Sequence, residues 1–124
     1  MSRNASKPLE GQTALVTGSS SGIGAAIARK LGRSGAAVCV NFRSSADAAK
    51  EVVQSIIADG GQAFDVCADA ADESDVHNLF AECLAQFGRL DILIANGIVW
   101  ITQHKSGCYV NLNALFFSNF PATL

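Results

Sequence analysis

The sequence predicts an α/β protein in which a doubly wound parallel β-sheet of about four strands is covered by helices. Three observations predict it. Short apolar runs alternate with longer segments of helical period along residues 13–95. The runs are apolar throughout, as in strands that are buried on both faces. A glycine-rich turn joins the first run to the first helix, which is typical of sheets that bind nucleotides.

The first half of the chain supplies two strands and two helices. The first strand is predicted at Thr13–Val16 and the second at 37–42. Gly35 ends the helix between these two strands, which has one apolar face, and Gly60 ends a second helix of the same kind after the second strand. The apolar face of the first helix holds Ile23, Ile27 and Leu31, and that of the second holds Ala49, Val52, Val53, Ile56 and Ile57.

The second half repeats the pattern once and then loses it. A third strand is predicted at 63–68, and Asp72 caps the helix that follows, with two further carboxylates at the positive end of the helix dipole. The fourth strand is predicted at 91–95. Residues 97–107 have no clear period and are predicted as a loop, and 108–119 have a helical pattern.

Composition limits the classes of function. The 124 residues fit a single domain, 1–124, and a net charge of -2 argues against a nucleic-acid or anionic-membrane partner. No apolar run is long enough to span a membrane, and residues 1–8 lack the apolar core of a signal peptide.

The four cysteines lack metal-ligand spacing and are expected to be free thiols, which favours the cytoplasm, with an organelle matrix as the alternative. They are Cys39, Cys67, Cys83 and Cys108. His77 and His104 lack partners at ligand spacing, so no metal site is predicted.

The glycine turn carries the most specific signal. Its spacing is Gly18-x-x-x-Gly22-x-Gly24. The first glycine permits a sharp turn off the strand, the second lets the backbone approach a pyrophosphate, and the third lets the helix lie close to the sheet. Backbone N–H groups at the helix start then bind phosphates, and the alternative is a tight connection without a ligand. The candidate cofactor-binding residues here are Gly18, Ser20, Ser21, Gly22, Ile23 and Gly24.

Several further stretches accompany this turn. They are Leu9-x-Gly11-x-x-Ala14-Leu15-Val16-Thr17 before it, and after it Gly60-Gly61-Gln62-Ala63, Ala68-Asp69, Phe87-Gly88-x-Leu90-Asp91-Ile92-Leu93-Ile94 and Val110-Asn111-Leu112. With them the chain resembles the short-chain dehydrogenase/reductase family over nearly all of 9–98 and again at 110–117. The resemblance is closest to 3-oxoacyl-carrier-protein reductases and bacterial glucose dehydrogenases. It implies a Rossmann-type fold, a nicotinamide cofactor and hydride transfer to or from a carbonyl or alcohol.

The residues after the second strand favour NADP(H) over NAD(H). Folds that bind NAD usually place an acid there for the ribose 2′-hydroxyl, but this chain has no carboxylate before Asp47. Arg43, Ser44 and Ser45 offer instead a guanidinium and two hydroxyls to a 2′-phosphate. The alternative is a solvated arginine beside a serine that caps the next helix.

The resemblance also implies roles at the ends of the third and fourth strands. Asp69 and Ala70 match the family's acid and backbone that hold the adenine, although an aspartate that caps its own turn is the alternative. Asn96 and Gly97 match the family's Asn-Ala-Gly-Ile beside the nicotinamide ribose, with one small residue missing.

Only part of the family's catalytic set is recognisable. Asn111 matches the Asn of the proton relay, whereas the family's Tyr, followed four residues later by Lys, has no match. Tyr109, the single tyrosine, has Asn113 at that spacing. The expected Ser and Tyr-x-x-x-Lys would follow Leu124, so the chain is interpreted as C-terminally incomplete. The prediction is an NADP(H)-dependent oxidoreductase that is inactive as this chain stands, and a non-catalytic nucleotide-binding or subunit-pairing fragment is the alternative.

The last expectation concerns partners. A carbonyl or alcohol substrate is expected only for a complete parent protein. The segment after Asn111 is strongly apolar, and in the family the matching helix packs on a second subunit, so a homo-oligomer or an aggregation-prone chain is predicted. Its apolar residues are Leu112, Leu115, Phe116, Phe117 and Phe120.

Overall fold

A computed structural model describes residues 7–96 of the chain. Seven elements alternate in the predicted order. They are β1 (Thr13–Val16), α1 (Gly22–Arg33), β2 (Ala37–Phe42), α2 (Ala46–Ala58), β3 (Gln62–Cys67), α3 (Glu73–Phe87) and β4 (Ile92–Ile94). The predicted loop at 97–107 and helical segment at 108–119 lie outside the described residues.

The four described strands form one parallel sheet in the order β3-β2-β1-β4. Leu15 in the middle of β1 pairs with Cys39 of β2 on one side and Leu93 of β4 on the other. The chain therefore moves outward from β1 to β3 and then returns to the far side of β1. In open α/β sheets, ligands bind where the strand order reverses, at the carboxyl ends of the strands, which here are those of β1 and β4.

The sheet is covered on both faces, as the sequence predicts. On one face, Val16 and Val40 pack in a buried cluster with Ile56 of α2 and residues of α1. On the other face, Leu15 and Cys39 pack with residues of α3. Successive strand residues thus serve opposite layers, which is why these strands are apolar throughout. The doubly wound α/β prediction is confirmed.

The third helix begins and ends where the sequence predicts. The Asp72 side chain accepts a hydrogen bond of 3.1 Å from the backbone N–H of Asp75. Gly88 ends the helix with a φ of 78°, a left-handed conformation that glycine adopts without strain. An aspartate at one end and a glycine at the other therefore fix this helix by local chemistry alone.

Several details differ from the prediction. Ile23 is 73% exposed and Ile57 is 53% exposed, although both were predicted on buried helix faces. The strand predicted at 63–68 is displaced by one residue, and the strand predicted at 91–95 is shorter at both ends. In addition, β3 is only half-buried, because it is an edge strand of the described sheet and pairs with β2 alone.

The cysteines within the described residues are free. Cys39 and Cys83 are buried together, and a hydrogen bond between the two thiols, with burial, raises the pKa of Cys39. Cys67 is exposed at the end of β3, where its thiol donates to the backbone oxygen of Arg43 at 3.4 Å. Packing thus accounts for two of the thiols but not for Cys67. Among the described helices, none is long and apolar enough to cross a membrane.

Candidate functional site

The turn after β1 is bonded to the strands on both sides of it. Gly18 and Gly22 have φ values of 61° and 59°, which residues with a Cβ rarely adopt. The Ser19 hydroxyl is fully buried and donates to the Val16 oxygen at 2.7 Å, and the Ser19 N–H donates to the Asn41 oxygen at 2.9 Å. Two glycines and one buried serine therefore give this turn a defined shape.

Gly24 brings the start of α1 against this turn. A Cβ at Gly24 would collide with the Gly18 carbonyl oxygen and would lie 2.5 Å from the Asn96 amide nitrogen. The third glycine was predicted to let the helix lie close to the sheet, whereas its nearest neighbours are the turn itself and the residue after β4. At Gly22, by contrast, a Cβ would meet nothing within 4 Å, which leaves open space beside the backbone.

The first turn of α1 is available to an anion. The Ser21 side chain makes no capping hydrogen bond, and the first turn of the helix holds no acidic residue. The leading N–H groups of a helix have no acceptor within the helix and carry its positive dipole end. Ser21, Gly22 and Ile23 are exposed and Ser20 is partly so. Uncapped N–H groups beside open space fit a pyrophosphate.

Arg43, Ser44 and Ser45 are all exposed between β2 and α2. Ser45 occupies the N-cap position of α2 but makes no side-chain capping bond, so the capping alternative considered for this serine is wrong. The Arg43 Nε lies 3.9 Å from the Asp69 Oδ2, and the Arg43 side chain is 76% exposed. One cation and two free hydroxyls therefore lie together at the start of a helix.

Asp69 is held by its own turn. Its Oδ1 accepts from the Ala71 N–H at 2.9 Å, and its backbone N–H donates to the Asp75 Oδ2 at 2.8 Å. The turn-capping alternative for Asp69 is therefore present, and its Oδ2 still faces Arg43. Ala70 is half-buried and packs against the cluster beneath α3. The loop after β3 is thus ordered by local bonds and by contact with the core.

The end of β4 is fixed to the glycine turn. The Asn96 N–H donates to the Thr17 Oγ1 at 2.9 Å, and its amide nitrogen donates to the Gly18 oxygen at 3.3 Å. The predicted site residues Gly97 and Asn111 lie outside the described residues, as does Tyr109. The structure therefore gives the geometry of the predicted site from Gly18 to Asn96 only.

The described candidates lie at one edge of the sheet. The turn after β1, the serines after β2, the loop after β3 and Asn96 after β4 all follow the carboxyl ends of their strands. Arg43 approaches Asp69, and Asn96 bonds to the turn. The arrangement fits an extended dinucleotide, with phosphates at α1 and an adenosine half between Arg43 and Asp69.

Asn41 was not predicted as a site residue. It is 2% exposed at the end of β2, and its carboxamide bonds to Gly18 on one side and to the end of β3 on the other. The available signal was a polar residue near the end of an otherwise apolar strand. Ser19 was also passed over, and its burial explains why it contacts the backbone and not a ligand.

A cavity of about 430 Å³ lies at the opposite edge of the sheet. Thr13, Gly35, Gly61 and Arg89 are among the residues that line it, next to the amino ends of the strands. Parallel α/β sheets bind their ligands at the carboxyl ends of the strands, so we do not assign the site to this cavity. Within residues 7–96, no group of three or more acidic, histidine or cysteine side chains is arranged to hold a metal ion.

Near that cavity, Asp91 joins β4 to β1. It accepts two hydrogen bonds from Arg89, at 2.8 and 2.7 Å, and one of 2.8 Å from the Thr13 N–H. The bond from Arg89, followed by that from Thr13, holds the pKa of this carboxyl below its ordinary value. These bonds stabilise the neighbouring ends of two strands and lie away from the candidate site.

The fold, with its glycine turn at the carboxyl edge of the sheet, is that of a Rossmann-type α/β protein. The sequence model of the family described as short chain dehydrogenase matches residues 12–123. The chain belongs to this family.

The chain is also similar to individual proteins that are named as reductases or short-chain dehydrogenases. The chain is 47% identical over 89 residues to a hydroxynaphthalene reductase of Aspergillus fumigatus, a match that covers 72% of this chain and 33% of that protein. It is 49% identical over 92 residues to versicolorin reductase 1 of Aspergillus parasiticus, with 73% and 35% covered. A short-chain dehydrogenase of Burkholderia cenocepacia in complex with NADP superposes with a TM-score of 0.78 at 34% identity, over 90% of this chain and 50% of that one.

The matched relatives are much longer than this chain. It spans 33–37% of the length of curated relatives such as these and an uncharacterised oxidoreductase of Methylorubrum extorquens. The finer likeness to 3-oxoacyl-carrier-protein reductases stays a prediction. The activity, substrate and partners of a whole protein are therefore matters for proposal.

Proposed function

We propose that this chain binds NADP(H) and forms the dinucleotide-binding part of a short-chain oxidoreductase. The observation that carries the proposal is the uncapped start of α1, with open space beside Gly22, at the carboxyl edge of the sheet. An exposed positive dipole end with no acidic residue in its first turn favours a phosphate over water alone. In this proposal, the turn from Gly18 to Gly24 holds the pyrophosphate.

The preference for the 2′-phosphate rests on the residues after β2. Arg43, Ser44 and Ser45 are exposed, and the Ser45 hydroxyl is not used in a cap. A guanidinium and two hydroxyls at the start of a helix attract a dianion, whereas NAD(H) offers them only a neutral hydroxyl. The NADP complex of the Burkholderia cenocepacia relative supports this choice.

The reaction proposed for the complete protein is hydride transfer between the nicotinamide and a small carbonyl or alcohol compound. The bound cofactor supplies or accepts the hydride. In this proposal, the residues of this chain bind its phosphates and adenosine, Asn96 and Gly97 lie beside the nicotinamide ribose, and Asn111 holds the relay position. No tyrosine in the 124 residues has a lysine four positions later, so the proton donor of the family is not supplied by this chain.

Titration calorimetry of the 124-residue chain with NADPH and NADH tests the cofactor proposal. We expect a saturable NADPH isotherm and weaker NADH binding. Equal or tighter NADH binding would refute the preference, and no binding of either dinucleotide would refute the proposed function. The same preparation is expected not to oxidise NADPH with simple ketones. Oxidation that depends on a residue of this chain would show that it holds a complete proton donor.

The alternative role of the chain is subunit pairing. The observation that favours it is the apolar composition of 112–120, which includes three phenylalanines and lies outside the described residues. Sedimentation at micromolar concentration tests it, with Phe116→Glu as the variant expected to shift the chain toward monomer. A monodisperse monomer before substitution would refute self-association.

We propose the cytoplasm as the compartment, which the free thiols within residues 7–96 support.

A further inference from the structure

Asn41 is a polar residue buried in an apolar strand, with its carboxamide bonded on both sides. Its Oδ1 accepts from the Gly18 N–H at 3.1 Å. Its Nδ2 donates to the Ala68 oxygen at 3.1 Å and to the Val66 oxygen at 3.3 Å. The residue is 2% exposed, so none of these groups has water as a ready substitute.

These bonds join two parts of the candidate site that are distant in sequence. Gly18 opens the turn that we assign to the pyrophosphate, and Ala68 directly precedes Asp69 in the loop that we assign to the adenosine half. The backbone of Asn41 strengthens the first connection, since its N–H donates to the Ser19 hydroxyl at 3.0 Å. One residue of β2 thus connects the ends of β1 and β3.

We propose that Asn41 is a positioning residue for the dinucleotide, which fixes the phosphate-binding turn and the adenosine-binding loop at one separation. The inference rests on the proposed function. The pyrophosphate and the adenosine of a dinucleotide are joined covalently, so a protein that already holds both binding segments at a matching separation avoids the cost of ordering them on binding.

The chemistry of the carboxamide explains why asparagine suits this position. The side chain meets an N–H on one side and carbonyl oxygens on the other, so it must accept and donate at once. An ionised carboxylate accepts only and would face the oxygens of Val66 and Ala68 with like polarity. A protonated carboxyl restores one donor, so Asn41→Asp converts the positioning bond into one that depends on pH.

The central experiment measures NADPH binding by wild-type chain and Asn41→Asp between about pH 5.5 and 8. Burial and the facing carbonyls raise the pKa of the introduced carboxyl, so it is ionised only toward the upper end of this range. We expect the variant to bind NADPH about tenfold or more weakly than wild type at about pH 8, and the deficit to narrow to about threefold at about pH 5.5.

Dividing the NADPH affinity of each variant by that of wild type at the same pH removes the effect of other titrating groups. The 2′-phosphate of NADPH titrates at a pH of about 6 but does so equally in every variant. Every other titratable residue is the same in wild type and in the Asn41 variants, among them Cys39, Arg43, Asp65, Cys67, Asp69 and Asp75 on or next to the neighbouring elements. Asn41→Ala supplies the comparison without a titrating group, and we expect its deficit to be constant with pH. A pH-independent ratio for Asn41→Asp would overturn the proposal.

Cys39→Ala is the matched structural control. It removes a buried side chain two residues earlier in β2 that packs toward α3 and not against the glycine turn. Thermal unfolding is measured for every variant. If Asn41→Asp does not fold, Asn41→Ser takes its place, and it is expected to bind NADPH about tenfold more weakly than Cys39→Ala at comparable thermal stability. Equal NADPH affinity in these two variants would refute a positioning role.

The proposed function and this inference fail in different ways. If the wild-type chain binds neither NADPH nor NADH, the proposed function fails and the inference falls with it. If wild type binds NADPH and the Asn41 variants bind it as tightly as Cys39→Ala does, only the inference fails.

Discussion

The Arg43 Nε lies 3.9 Å from the Asp69 Oδ2, across the ends of two neighbouring strands. The pair is loose, because the two side chains are 76% and 34% exposed and the contact is at the limit of an ion pair. Exposed pairs of this kind contribute little to stability. The Asp69 Oδ1 is already bonded to the Ala71 N–H, which fixes the carboxylate, whereas the exposed guanidinium has no other ion pair among the described residues. Arg43 can therefore turn to a phosphate at small cost.

Arg43→Ala is expected to remove the preference for the 2′-phosphate. The loss of a charge-assisted bond weakens NADPH binding by about 1.5–3 kcal/mol, on the order of tenfold to a hundredfold, and leaves NADH binding unchanged. Titration calorimetry of both dinucleotides measures this.

Lys50→Ala is the matched control for Arg43→Ala. Lys50 is an exposed cation on α2 paired with Asp65 at 3.4 Å, so its loss changes the net charge equally without touching the candidate site. We expect its NADPH affinity to stay near that of wild type. If Lys50→Ala lowered NADPH affinity as much as Arg43→Ala does, the loss in Arg43→Ala would be explained by net charge and not by a bond to the 2′-phosphate.

Gly24→Ala is expected to lower both stability and NADPH affinity. The added methyl would collide with the Gly18 carbonyl and press on the Asn96 amide, so the turn must move. Overpacking of this kind costs about 1–3 kcal/mol in the free energy of unfolding. Denaturant unfolding and calorimetry measure the two effects.

Ala26→Gly separates the turn from the helix in that comparison. Ala26 is exposed on α1 after the glycine turn, and glycine there costs about 1 kcal/mol of helix stability. NADPH affinity should be retained in this variant. If Ala26→Gly and Gly24→Ala lose NADPH affinity equally at equal stability, the shape of the glycine turn does not determine NADPH binding.

Two isoleucines predicted on buried helix faces should behave differently. Ile23→Ala is expected to change the free energy of unfolding by no more than about 0.5 kcal/mol, since Ile23 is 73% exposed. Ile56→Ala should cost about 2–5 kcal/mol. Ile56 is 2% exposed, and it fills the space left by Gly32 and Gly61, where a Cβ would lie within 3 Å of its side chain. Equal losses in the two variants would contradict this assignment of the core.

The contrast between these isoleucines shows what the sequence could predict. Strand and helix positions followed from apolar period, and Asp72 and Gly88 marked the limits of α3 by local chemistry. Ile23 has the right period but lies in the first turn of α1, next to the glycine turn at the carboxyl edge of the sheet. Period assigns a residue to a face of its helix, but it does not show how far along the helix that face is covered.

Asn41 could not be predicted as a site residue from the sequence, for a related reason. Its partners are backbone atoms 23, 25 and 27 residues away, in Gly18, Val66 and Ala68. They come together only because β2 lies between β1 and β3. Strand order, and not any local motif, places them there. The glycine turn, by contrast, is a continuous stretch and could be recognised directly.

The last prediction concerns pH and the bond between β4 and β1. Bonds from Arg89 and the Thr13 N–H lower the pKa of Asp91 in the folded chain. A lowered carboxyl pKa contributes stability that is fully present above the unfolded value, about 3.9, and that is lost as pH falls through the folded value. Asp91→Asn should therefore lower the melting temperature at about pH 7 by a few degrees, and the difference should shrink below about pH 4. Asp59→Asn is the control, because Asp59 lies at the C-cap of α2, where a negative charge is unfavourable, and it forms no ion pair with another described residue. A difference between wild type and Asp91→Asn that is constant with pH would show that the ionised carboxylate is not what joins the two strands.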